Sequence, residues 1–331
     1  MSTRQPLVET EGLTKHFTAG SGFISRYLSP DVVHAVDNVS LSIERGKTLG
    51  LVGESGCGKS TLGRSLLRLH EPTSGSIRFD GTDITTLSQR KLRPYRREMQ
   101  MVFQDPKSSL NPRMTVGEIL RKPIEFHDIA SGEAALDRVH ELLEDVGLPG
   151  DNVNRYVHEF SGGQQQRIGL ARALALEPKF IVLDEPTSAL DVSVQAKILR
   201  LVESLKDKYE LTLVFISHDL NVIRHVCDEV AVMYLGEIVE QATAKELFDT
   251  PAHPYTQALL DSISLPDPEL AGQIENPIEG NIPSPINPPS GCRFHTRCPD
   301  AMDRCTTNPP TLERRPIDES MERVTACHLY E

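Results

Sequence analysis

The apolar positions of this chain change period several times, and each change marks an element. Residues 7–17 and 32–43 alternate apolar and polar side chains, the pattern of half-buried antiparallel strands. The stretch between them, TAGSGFISRYLSP, keeps no period and reads as a surface loop. Thr48 to Val52 is a continuous apolar run, which suits a strand buried on both faces, and a helix is predicted from Thr61 to His70. Glu71 to Gly75 ends that helix before a short strand at Ser76 to Asp80, and MQMVFQ at Met99 to Gln104 is another strand, broken by Asp105-Pro106. Between Ser108 and Phe160 helical spacing takes over, first at Val116, Ile119 and Leu120, then at Leu136, Val139, Leu142, Leu143 and Val146. This predicts a helical insertion. Apolar strands return at Phe180 to Leu183 and Thr212 to Ser217, and two more flank Leu235-Gly236. From Pro251 to Pro289 prolines are dense and apolar periods short, with one helical candidate at Tyr255 to Ile263, so this part reads as an appended arm.

Composition narrows the class. At 331 residues the expectation is one large α/β domain with a smaller piece attached. No apolar stretch approaches the ~20 residues that cross a bilayer, and the start MSTRQPLVETEG has no signal-peptide core, so a cytoplasmic location is expected. With 47 acidic against 35 basic residues the net charge is −12, which repels nucleic-acid phosphates and acidic lipid surfaces. A membrane role would then run through a protein partner. The basic run Arg90 to Arg97 is read as a solvated helix face.

Candidate chemistry concentrates at strand ends. Gly53 to Ser60, reading GESGCGKS between a strand and a helix, completes the pattern G-x-x-x-x-G-K-[ST] of a phosphate-binding loop. Gly53, Gly56 and Gly58 let backbone N–H groups face phosphate oxygens, Lys59 reaches the β- and γ-phosphates, and the Ser60 hydroxyl is assigned to Mg²⁺. Cys57, inside the loop, is read as a small tolerated residue. Phe17 closes the first strand and offers an aromatic face for a purine base, or simply packs in the core. Ser161 in FSGGQQQR is a natural N-cap beside two glycines, a second anion site. Three strand ends present Gln104, Asp184 with Glu185, and His218, and in a parallel sheet such ends share the ligand-binding edge.

Taken together, GESGCGKS, Gln104, SGGQQ, FIVLDE, the segment Ser188-Ala189-Leu190-Asp191 and His218 resemble the ABC transporter ATPase family over residues 7 to 250, in the family's order. The resemblance implies a P-loop NTPase of α/β class, with a RecA-like core, an antiparallel β subdomain and a helical subdomain inserted at about 105–164. It implies that Asp184 helps Ser60 and Gln104 hold Mg²⁺, that Glu185 polarises the attacking water, and that His218 contacts the γ-phosphate. Gln104 would sense both nucleotide and membrane partner. Nucleotide contact extends by the same resemblance to Glu54, Ser55, Cys57 and Thr61, and across a pair of cassettes to Ser161, Gly162, Gly163, Gln164 and Asp191.

The stretch HPYTQALL, with SPINPPSGCRFHTRC further on, resembles the C-terminal region of oligopeptide and dipeptide importer ATPases, a subfamily that also serves nickel and some oligosaccharides. The implied partners are two permease subunits, a second ATPase subunit and, indirectly, an extracytoplasmic binding protein, with the chain peripheral on the cytoplasmic face of the cell membrane. A soluble ABC-type ATPase of DNA repair or translation fits less well, because the chain has one phosphate loop, no long heptad run and the wrong charge. Cys292, Cys298, Cys305 and Cys327 stand with five, six and twenty-one residues between successive thiols, enough for zinc or an iron–sulfur cluster, and spacing does not choose between them. Members of the resembled subfamily carry a [4Fe–4S] cluster at such cysteines. Free structural thiols are the remaining alternative, and Cys227 is read as buried packing. Because ligands on one short arm mainly order that arm, the nucleotide site, some distance away in sequence, is expected to survive loss of any metal there.

Overall fold

The computed structural model describes residues 5–19, 31–262, 280–314 and 323–331. In chain order the elements are β1 (Pro6–Ala19), β2 (Asp31–Glu44), β3 (Thr48–Val52), α1 (Lys59–Leu66), β4 (Ser74–Phe79), β5 (Thr82–Asp83), α2 (Gln89–Glu98), β6 (Met99–Val102), α3 (Pro106–Ser109), α4 (Val116–Phe126) and α5 (Gly132–Asp145). Then come α6 (Gly162–Leu174), β7 (Phe180–Asp184), α7 (Val192–Tyr209), β8 (Thr212–Ile216), α8 (Leu220–Val226), β9 (Glu229–Tyr234), β10 (Glu237–Thr243), α9 (Ala244–Asp249), α10 (Pro254–Asp261), β11 (Glu313–Arg314) and β12 (Val324–Thr325). Most of the predicted surface loop between β1 and β2, and the end of the helical candidate at Ile263, lie outside the described residues.

The chain forms two compact units. The first holds Ile43–Thr48 and Thr86–Ser217 with the described residues up to Leu7. Its strands β6, β7 and β8 are parallel, with Met99 opposite Phe180 and Phe180 opposite Thr212. Every position of β7 and β8 is buried, as a continuous apolar run requires of a strand covered on both faces. The helical insertion is present as α3 to α5. Its predicted apolar positions Val116, Leu120, Val139, Leu142 and Leu143 are fully buried, whereas Leu136 is 38% exposed and is not core. Helix α4 starts at a capping box between Thr115 and Glu118, and α6 at another between Ser161 and Gln164, the second where the sequence signals it.

The second unit holds Val8–Ser42, Leu49–Thr85 and His218–Glu331. Strands β1, β2, β4 and β5 make a sheet in the order β2-β1-β4-β5, with β4 antiparallel to β1. Strand β3 runs parallel to β9, Leu49 facing Glu229, and β9 turns into antiparallel β10 through Leu235 and Gly236, both at positive φ. Helix α1 ends at Leu66 instead of the expected His70, and Arg68 follows in the left-handed region at φ 53°. The C-terminal region contributes to the sheet: β12 pairs with β10, Glu240 facing Thr325, and β11 pairs with β12. Glu240, fully buried, accepts from the N–H groups of Ala252 and His253 at 2.9 and 2.8 Å, and Arg323, 1% exposed, lies 3.5 Å from its carboxylate.

Candidate functional site

The phosphate loop bridges β3 and α1. Gly53 has φ 147° and Gly58 φ 110°, and a Cβ would fall 2.1 Å from the Met233 carbonyl at the first and 2.0 Å from that of Ala35 at the second, so only glycine fits either position. Lys59 opens α1. Its ammonium donates to the carbonyls of Gly53 at 2.7 Å and Glu54 at 2.9 Å, wrapping the loop around the lysine. The Cys57 thiol is buried, and burial pushes its pKa up despite the neighbouring ammonium, which agrees with an unreactive packing residue. Ser55 and Gly56 are exposed, Ser60 and Thr61 half-buried. Phe17 is half-buried at the end of β1, edge-on to His70 with ring centroids 5.4 Å apart, and the Lys15 ammonium lies 4.9 Å from its ring centre.

In the first unit the ends of β6, β7 and β8 share one edge. Asp184 ends β7 and is 1% exposed, while Glu185 follows it at φ 46°, a left-handed conformation uncommon for a non-glycine residue. The N–H of Glu185 donates to the Ile216 carbonyl at the end of β8, and its side chain accepts from the Gln104 amide at 2.8 Å. Two residues that stand 81 apart in sequence are thus joined at the sheet edge. His218 follows β8 by two residues, exposed, and falls in the second unit. Ser161 and Gly162 are exposed at the start of α6, and Gly163 lies so close to α7 that a Cβ would meet Val194 at 2.5 Å. Asp191 caps α7 through the N–H of Val194, and this bond with its others holds its carboxyl below the usual range. A cleft of about 760 Å³ opens beside these residues, lined by Gln104, Pro106, Leu110, His158, Phe160 and Leu190 among others.

The cysteines of the C-terminal region meet. Cys292, Cys298, Cys305 and Cys327 line one small cavity with His253, Phe294 and Met302. Burial pushes the Cys292 thiol up to about 12 and Cys298 up to about 11, and the neighbouring thiols add to both shifts. Cys227 is buried elsewhere, against Gly50. Sequence reasoning missed that this region touches the phosphate loop. The Arg297 guanidinium forms a two-pronged ion pair with the Glu54 carboxylate, at 2.7 and 3.0 Å, and the N–H of Glu54 donates to the Tyr255 hydroxyl at 2.9 Å. Distance in sequence is therefore not distance in space. Also unforeseen is the trio His16, His34 and Asp37, whose donor atoms lie within 4.8 Å of one another, with Asp37 additionally paired to Arg293.

Two family models match parts of this chain. The model of the ABC transporter family matches residues 36–188, and that of the oligopeptide/dipeptide transporter C-terminal region matches residues 239–305. A Brucella ovis protein provisionally named as a peptide import ATP-binding protein is 53% identical over 315 residues, covering 95% of this chain and 96% of that one. The oligopeptide transport ATP-binding protein AppF of Bacillus subtilis is 48% identical over 333 residues, covering 99% of each chain. Among solved structures, the ATP-binding cassette MJ0796, a dimer in a post-hydrolysis state bound to ADP and Pi, matches with a TM-score of 0.63 and 32% identity over 72% of this chain and 98% of that one. With its P-loop fold and these full-length relatives, the chain belongs to the ATP-binding protein family of ABC transporters.

Proposed function

We propose that this protein binds and hydrolyses ATP to energise the import of di- or oligopeptides through membrane permease subunits. The observation that carries the hydrolytic part is the Glu185 carboxylate, set at a strand end in a strained backbone conformation and held by the Gln104 amide beside buried Asp184. Strain kept at such a position is paid for by the surrounding structure and is typical of reacting sites. The peptide cargo rests on the relatives' names and on the matching C-terminal region.

Phosphoryl transfer needs positioning and charge neutralisation more than covalent chemistry, and each residue has a matching task. The loop from Gly53 to Thr61 cradles the phosphates with N–H groups of Ser55, Gly56, Cys57 and Gly58, Glu54 shapes the loop while its own N–H bonds the Tyr255 hydroxyl, and Lys59 neutralises the β- and γ-phosphate charge. Ser60, Asp184 and Gln104 would hold Mg²⁺, which when bound supplies further charge neutralisation at the phosphates. Glu185 orients the attacking water, His218 contacts the γ-phosphate, and Phe17 stacks on the base. Exposed Ser161 and Gly162, with Gly163, Gln164 and Asp191, meet the nucleotide of a second cassette, a pairing supported by the dimeric cassette that this chain resembles.

Residues 1–250 act as the ATPase domain, with the helical subdomain at about 105–164 inserted, and 251–331 as the extension. The cleft beside Gln104 and the helical insertion receives the permease, so Gln104 reports nucleotide state to the membrane partner. An extracytoplasmic binding protein delivers cargo to those permeases. No helix among the described residues is long and apolar enough to cross a membrane, which suits peripheral attachment to the cytoplasmic face.

The four cysteines line one cavity and fit a thiolate-bound metal group, and the iron–sulfur cluster is preferred to zinc on the resemblance to importer ATPases. A [4Fe–4S] group, when bound, would supply positive charge that neutralises the thiolates and would crosslink the region.

The deciding experiment compares two variants. Glu185→Gln should bind ATP normally and lose nearly all turnover, and Lys59→Ala should weaken ATP binding itself. Unmutated turnover by Glu185→Gln would refute the assignment.

A further inference from the structure

We propose that Arg297 and Tyr255 are positioning residues for the phosphate loop, and that through them the cysteine-bearing region sets nucleotide affinity. The inference rests on Gly53–Ser60 being the nucleotide loop.

Glu54 is held at both its ends. Its carboxylate takes two parallel N–H bonds from Arg297, at 2.7 and 3.0 Å, in the planar fork geometry that makes arginine–carboxylate pairs strong and directional. The pair is largely shielded from water, with the Arg297 side chain 5% exposed and that of Glu54 21%. The backbone N–H of Glu54 is committed to the Tyr255 hydroxyl, so this amide is fixed by the C-terminal region. Lys59 depends on the same residue, because its ammonium donates to the Glu54 carbonyl. A displaced Glu54 would therefore move both the loop amides and the lysine that meet the phosphates.

The two holding residues are themselves anchored to the thiol segment. Tyr255 is fully buried, with its ring 4.7 Å from that of Tyr234 and 5.3 Å from that of Phe294. Arg297 also donates to the Tyr234 hydroxyl. Phe294 stands two residues after Cys292, and Arg297 immediately precedes Cys298. The turn joining them is closed by N–H bonds from His295 to the Cys292 carbonyl and from Arg297 to that of Phe294. One short segment thus carries two of the clustered thiols, Arg297, which reaches the loop, and Phe294, which packs on Tyr255. Whatever orders the thiols orders Arg297, and whatever loosens them releases Glu54.

The test measures binding of a fluorescent ATP analogue to the full chain, purified without oxygen, alongside turnover, metal content and thermal melting. Arg297→Gln should weaken analogue binding on the order of tenfold, about 1.4 kcal/mol, raising KM far more than it lowers kcat. Arg297→Lys, which keeps charge without the fork, should recover only part of the affinity. Tyr255→Phe, which keeps the ring packing and removes the hydroxyl, should weaken binding by a few fold. Cys298→Ser should weaken it as Arg297→Gln does. If Arg297→Gln melts too low to measure, Glu54→Gln tests the same pair from the loop side, with the same loss expected. Unchanged affinity in a folded Arg297→Gln or Glu54→Gln protein overturns the positioning role, and unchanged affinity in Cys298→Ser overturns the coupling to the thiols. Lys59→Ala separates the two levels: full affinity there sinks the nucleotide-loop reading, whereas its loss beside an intact Arg297→Gln sinks only this proposal.

Discussion

Glu185 carries two demands that conflict in an ordinary residue. Its backbone sits at φ 46°, where a side chain with a Cβ is disfavoured, yet the proposed mechanism needs a carboxylate there. The conformation is held by its N–H bond to Ile216 and by the Gln104 amide on its side chain. In the proposed mechanism Gln104 therefore orients the carboxylate and Glu185 acts on water. Gln104→Ala should lower kcat roughly ten- to hundredfold, with ATP affinity nearly unchanged. Adding it to Glu185→Gln should cost little more, because the two residues act as a unit. An additive loss in that double variant would separate their roles. The place of Glu185 at a strand end was legible in FIVLDE, since two carboxylates after an apolar strand form a local pattern. Its partner and its backbone conformation were not, because both arise from strand pairing across 81 residues and leave no local period.

At the scale of elements, apolar runs and spacings of four residues or more were read well and two-residue strands were not. The run at Phe180 to Leu183 and the spacing from Val139 to Leu143 gave β7 and α5, and Ser161 gave the start of α6. The C-terminal region was read as an appended arm. It instead adds β12 to β10 and anchors itself on buried Glu240, but β11 and β12 are two residues each, too short to alternate. Its four cysteines were found by composition, and their convergence on one cavity supports the metal reading. Protein purified without oxygen should then be brown, with iron and sulfide near four each per chain. Serine at any of the four should lower that content, and serine at Cys57 or Cys227, both buried away from this cavity, should not. Colourless protein holding stoichiometric zinc would reverse the choice of metal, and metal-free protein unchanged by all four substitutions would reduce them to packing thiols.

For the whole molecule, charge and pairing pull in opposite directions. Each copy carries a net charge of −12, so bringing two together is opposed by repulsion that acts over a Debye length, about 10 Å at 0.1 M salt. The surface offered to a second cassette in the proposed pair is of mixed character: exposed Ser161 and Gly162 at one helix start, and at another Asp191 followed by Val192, 83% exposed. An apolar side chain so exposed beside a capping carboxylate gains by being covered, and bound nucleotide would supply the remaining contacts. The hydrolysis-blocked Glu185→Gln protein should therefore pair only with ATP and Mg²⁺ present, and its pairing should strengthen as salt rises from about 50 to 300 mM, because screening relieves the repulsion while apolar contact is little affected. Light scattering on a sizing column measures this directly. Pairing that weakens steadily with salt would mean that opposite-charge contacts dominate the interface, and pairing independent of nucleotide would remove ATP from between the cassettes altogether.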